Sequence, residues 1–91
     1  MSSIIVSTKY EIIYDEPKRL SNIEKHGLDF AELTIDFFIA CKVEETRAGR
    51  FKAVGDFQAR TIIAVVFRPL GSEALSVISM RQASKAERTA L

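Results

Sequence analysis

The chain has 91 residues, 47% of them hydrophobic and 27% charged, with a formal net charge of +1. That apolar share is too high for a disordered segment, and the length suits one small domain spanning residues 1–91. No apolar run reaches the roughly 18 residues that would cross a bilayer, and the N-terminus lacks the basic and long apolar regions of a secretory signal. Cys41 is the sole cysteine, so no intrachain disulfide can form, and a reducing cytoplasm is the expected setting. One histidine and one cysteine cannot build a closed zinc site without carboxylates, so neither metal nor cofactor is expected. Cys41 itself reads as a small buried hydrophobe.

Residues 4–14, "IIVSTKYEIIY", are rich in β-branched and aromatic side chains and predict an extended segment. A helix follows, capped by Asp15 or Glu16 and carrying Pro17 in its first turn, where a missing N–H does no harm. Leu20 and Ile23 fall on one face of it, and Lys18, Asn22, Lys25 and His26 on another. Gly27 ends it in the left-handed conformation. A second helix is expected from Asp29 as N-cap, with Glu32 as its capping-box partner and Leu28 and Leu33 as a hydrophobic staple. Phe30, Leu33, Phe37 and Phe38 give that helix its apolar face.

Beyond Phe38 the hydrophobic period shortens. "IACKVEETR" predicts a weak strand, and "RFKAVGDF" (50–57) another, with a turn near Gly55–Asp56. "RTIIAVVFR" (60–68) is a nearly continuous β-branched run and the best candidate for a central strand. "PLGSE" predicts a turn, and "ALSVISMR" (74–81) a further strand. "ASKAERTAL" closes the chain as a short basic helix, with Ser84 as N-cap and Glu87 at its third position. Strands joined in succession, with helices gathered at the ends, predict an α+β fold with an antiparallel sheet of four or so strands.

The small net charge hides an asymmetry. Residues 1–46 carry five Lys/Arg against nine Asp/Glu, or −4, and residues 47–91 carry eight against three, or +5, which sum to +1. Six of the eight later bases are arginines, whose planar fork suits phosphate or carboxylate. An acidic partner is one reading, and solvated surface faces the other.

The stretches "YDEPKRLSNIEKHGLDF" and "VISMRQASKAER", with Arg50, Gly55 and the "IAVVF" strand in order between them, resemble the BrnT family, toxins of bacterial type II toxin–antitoxin pairs. The resemblance implies a RelE-like fold and ribonuclease activity that arrests growth. It also implies neutralisation by a BrnA-type antitoxin, a dimeric DNA-binding protein, in a complex of two toxins and two antitoxins that represses its own promoter. The chain departs from the family pattern at Tyr14, at Ser76, in its short C-terminus and in its longer N-terminal segment. A rival reading is a degenerate relative that serves only as antitoxin partner or corepressor, and a third is a basic RNA-binding domain without catalysis.

Metal-free cleavage of RNA needs a proton taken from the 2′-hydroxyl, a stabilised phosphorane and a protonated leaving oxygen. Arg81 is the first choice for charge stabilisation, with Arg50 and Arg60 converging on the same phosphate. His26 is the acid–base candidate, although a helix C-terminus is also a natural structural place for histidine. Lys25 is read as a phosphate contact or a weaker catalytic group. Glu87 is read as a base, as the residue that orients Arg81 or Arg88, or as a capping-box partner. Lys18, Arg60, Lys85 and Arg88 are the expected RNA contacts.

Overall fold

The computed structural model of the chain describes residues 10–91. Strand β1 (Glu11–Ile13) leads into helix α1 (Glu16–His26), a 3-10 turn (Phe30–Glu32) and helix α2 (Ile35–Ala40). Four strands follow, β2 (Lys42–Glu45), β3 (Phe51–Phe57), β4 (Thr61–Leu70) and β5 (Ala74–Gln82), and then helix α3 (Lys85–Thr89). The sheet order is β1-β5-β4-β3-β2, which places the β-branched run of β4 at its centre, as the sequence predicts.

The α+β class is as expected, and the sheet differs in two respects. It has five strands, and it is mixed, because β1 lies parallel to β5 with Glu11 opposite Ala74. Hairpin logic predicts antiparallel neighbours for consecutive strands. The strand pairing that joins the two ends of the sequence leaves no such local trace. Of the extended stretch 4–14, residues 4–9 lie outside the described residues.

The second helix is also corrected. Asp29 accepts a bond from the Ala31 N–H at 2.9 Å, closing a 3-10 turn, and its carboxylate is gripped by Arg19 at 2.8 and 3.1 Å. Leu33 then turns extended (φ −76°, ψ 143°), and Thr34 starts α2 with its hydroxyl accepting from Phe37 N–H. Thr34 is a second capping residue five positions after the first, and it restarts the helix rather than continuing it.

Smaller details moved as well. The β3–β4 turn falls at Gln58–Ala59, both at φ 55°, rather than near Gly55, and Pro69 and Leu70 remain in β4. Gly55 lies inside β3, where an added Cβ would come 2.6 Å from Cys41 Sγ. Cys41 is half-buried rather than fully buried, and desolvation pushes its thiol up to about 12. The Gly27 left-handed cap (φ 70°) and the Ser84–Glu87 capping box form as expected.

The core lies on one face of the sheet. Ala53, Phe57, Ile63, Val65, Phe67, Leu75, Val77 and Met80 pack against Phe30, Leu33 and Phe37. On the other face, called the outer face below, Val54, Ala64 and Ala83 form a small second cluster with Ile62 beside it. Helix α3 is tied to this outer face by Lys52 Nζ donating to Glu87 and Lys42 Nζ donating to Ala90 C=O just past its end. No helix among the described residues is long and apolar enough to cross a membrane.

Candidate functional site

A single irregularity in β5 decides which face Arg81 takes. Val66 pairs with Ser79 while Phe67 pairs with Val77, so Ile78 is an extra residue. Strand side chains alternate, so a regular β5 would send Ser79 and Arg81 inward with Leu75 and Val77. The bulge shifts the phase: Met80 takes the core position (0% exposed) and Ser79 and Arg81 go to the outer face.

Two cross-strand rows then line that face. One runs Arg81, Ala64, Val54, Lys42, and the other Ser79, Val66, Lys52, Glu44. Glu87 of α3 reaches into the space between them. Its carboxylate accepts from both terminal nitrogens of Arg81 at 2.8 and 2.9 Å, from Lys52 Nζ at 2.9 Å and from Ser84 N–H at 2.8 Å. Lys52 also lies 3.6 Å from Glu44. The bond from Arg81, with that from Lys52, holds the Glu87 carboxyl well below the usual carboxylate range. Glu87 in turn raises both cations, which stay charged. A carboxylate held so low is a poor proton acceptor, which weighs against Glu87 as a base.

Beside this cluster, on the α1 side, a cavity of about 190 Å³ is lined by Lys18, Ser21, Asn22, Lys25, His26, Ile78 and Ser79. Its floor is fixed by Asn22. This side chain accepts from Met80 N–H at 3.1 Å and donates to Met80 C=O at 2.8 Å and to Leu28 C=O at 3.0 Å. Strand β1 pairs with only the first part of β5. Asn22 takes over along the open edge and bonds one residue as a neighbouring strand would. The expected helix face is corrected accordingly: Asn22 points inward (6% exposed), and Leu20 points to solvent (54%). A helix seated on a sheet edge meets backbone polar groups there, so an amide suits the contact better than leucine.

Of the expected site residues, Lys18, Lys25 and His26 share the cavity, and Arg81 lies two residues along β5 from its Ser79 wall. Lys85 is exposed on α3, and Arg88 donates to Ala83 C=O at 2.9 Å. Arg50 and Arg60 do not come together. Arg50 ends the β2–β3 loop next to Phe51, which is level with Phe67, while Arg60 sits in the β3–β4 turn next to Thr61. The two turns are about 20 Å apart along the strands. Both arginines are exposed, so the expected convergence on one phosphate is not found. Lys52 also belongs to the cluster and Asn22 to the cavity, and neither is among the expected site residues. Lys52 was legible from its place opposite the inward Phe51 and Ala53. Asn22 is marked by its place in the family-like stretch "YDEPKRLSNIEKHGLDF" and by helical spacing from Lys18 and His26, but neither shows that it faces inward.

Fold and site together define a small α+β protein whose sheet presents a cationic outer face beside a histidine-bearing cleft, an arrangement suited to a polyanion. The family profile described as "Ribonuclease toxin, BrnT, of type II toxin-antitoxin system" matches residues 14–87, and the chain belongs to that family. It is a ribonuclease toxin of a type II toxin–antitoxin system. Among solved structures, it is similar to the ribonuclease toxin BrnT of Brucella abortus, known from a 1.1 Å crystal structure. The two share 60% identity with a TM-score of 0.80, over 84% of this chain and 99% of that one. No curated protein sequence matches significantly.

Proposed function

We propose that the outer face is where RNA is cut, without a metal, and that the cavity beside α1 holds the reacting nucleotide. The observation that carries this reading is the position of Ser79 and Arg81. They share one face of β5, so Arg81 is rooted two residues from the wall of a cavity that is also lined by His26, Lys25 and Lys18. In this reading the 2′-oxygen attacks phosphorus, the bond to the 5′-oxygen breaks, and the charge gathered on the phosphorane is met by Arg81. His26 exchanges protons with the attacking or the leaving oxygen, and Lys25 and Lys18 hold the flanking phosphates. The poor basicity of Glu87 leaves His26 as the better proton carrier. Arg50, Arg60, Lys85 and Arg88 sit farther out, where they contact the RNA backbone beyond the scissile bond.

The same reading places the protein in the cytoplasm, arresting growth until a BrnA-type antitoxin neutralises it. The pair assembles as two toxins and two antitoxins, and promoter DNA is engaged through the antitoxin. The test is cleavage of a labelled RNA in EDTA by the parent chain, by Arg81→Ala and by His26→Ala. Arg81→Ala is expected to lower the rate by two orders of magnitude or more, on the order of losing one transition-state donor. Undiminished cutting by that variant rejects the site. A folded parent that cuts nothing moves the assignment to a partner-only protein.

A further inference from the structure

The Glu87 carboxylate lies where a phosphate would lie. It fills the Arg81 fork with both oxygens and takes the Lys52 ammonium on one of them. A planar guanidinium and an ammonium closing on two anionic oxygens also match the needs of a phosphodiester. We propose that Arg81 and Lys52 form a phosphodiester-binding site for RNA, which Glu87 occupies in the free protein as an internal substitute for the phosphate. The inference rests on the outer-face reading above. It adds Lys52 as an RNA ligand and makes Glu87 a group that RNA must displace.

The attachment of α3 suits such a displacement. The helix has five residues and none of them is buried. It is held by the Glu87 ion pairs, by Arg88 donating to Ala83 C=O and by Lys42 Nζ donating to Ala90 C=O at 3.0 Å. None of its residues belongs to the small apolar cluster of Val54, Ala64 and Ala83. With Glu44 beside Lys52 the two cations are already balanced, so an entering phosphate must replace the Glu87 carboxylate, and it regains from the same fork and ammonium what the departing carboxylate gives up. Glu44, the other acid near Lys52, is half-exposed and 3.6 Å away, so it is not the occupant.

The test is binding of an oligoribonucleotide with 2′-O-methyl sugars, which cannot be cut. Glu87→Gln keeps the size and the capping ability of the side chain and is expected to bind about tenfold tighter than the parent. Glu44→Gln, a control for simple loss of negative charge, is expected to stay within about twofold. The gain from Glu87→Gln should vanish when Arg81 and Lys52 are both alanine. In the parent chain, hydrogen exchange at the Arg88 and Ala90 amides should speed up when the oligomer binds. Equal or weaker binding by Glu87→Gln, a gain that survives loss of both cations, or unchanged exchange in the parent each overturn the proposal. Neither readout needs cleavage. A parent that binds without cutting RNA refutes the nuclease assignment of this face and leaves the displacement result standing.

Discussion

Asn22 is, among the described residues, the one buried polar side chain, and all three of its hydrogen bonds go to backbone groups. An amide in that place offers a donor and an acceptor at once, which no apolar residue does. Asn22→Ala is expected to cost about 2–3 kcal/mol, measured by urea unfolding, because Met80 loses both edge partners. A loss under about 0.5 kcal/mol would mean that water replaces the amide without penalty. Glu87 makes a contribution of a different kind, one that depends on pH. Its folded-state pKa is depressed, so its stabilisation is fully present above the ordinary glutamate value of 4.5 and is lost as pH falls from there toward the folded value. Between about pH 5 and about pH 3 the parent should lose more stability than Glu87→Gln, which has no proton to gain. Asp29, lowered chiefly by Arg19, titrates in both proteins and cancels from the comparison. Parallel loss in the two proteins would show that the ion pairs of Glu87 add nothing to folding.

Elements with a strong local signature were legible in the sequence. Helix α1 had its proline and its Gly27 stop, β4 its β-branched run, and α3 its capping box. The misreadings all fall where two local signals compete or where the cause is distant. Asp29 and Thr34 are both good caps, and only the extended backbone at Leu33 between them shows that the first closes a mere 3-10 turn. The bulge at Ile78 sits in a stretch, "LSVISMR", whose apolar residues break strict alternation, and the break has meaning only against the register with β4. The site shows the same division. Arg81 and the Lys25–His26 pair are visible in the sequence, while the rows that bring Lys52 to Arg81 and Glu87 depend on two strand pairings. Gly55 looks like a turn residue in the sequence, but it is required by close approach. Cys41 crosses over β3 there, and Gly55→Ala is expected to cost about 1–3 kcal/mol. Thermal unfolding of Gly55→Ala alone and with Cys41→Ala would check this, since relief by the second change identifies the sulfur as the obstacle.

Across the whole molecule, the uneven charge of the two sequence halves is not kept as two poles. Lysines from the acidic half, Lys18 and Lys25 on α1, join Arg81 and Lys52 from the basic half on and beside one face. If four such cations neutralise single-stranded RNA phosphates, the binding constant should fall with salt at a log–log slope of about −3. A slope near zero would exclude this face as a phosphate binder. The order of the strands has a further consequence, for the timing of synthesis. β5 sits between β1 and β4 in the sheet, yet it is the last strand in the sequence, and Ala74 must find Glu11, added 63 positions earlier. A nascent chain therefore lacks a central part of its sheet, and with it Arg81, until residue 82 has left the ribosome. An interrupted or prematurely stopped product is an open sheet with neither the arginine nor the far wall of the cleft. The fold thus ties completion of the sheet and its outer face to the synthesis of β5, so a ribosome stopped before residue 82 releases a product without either.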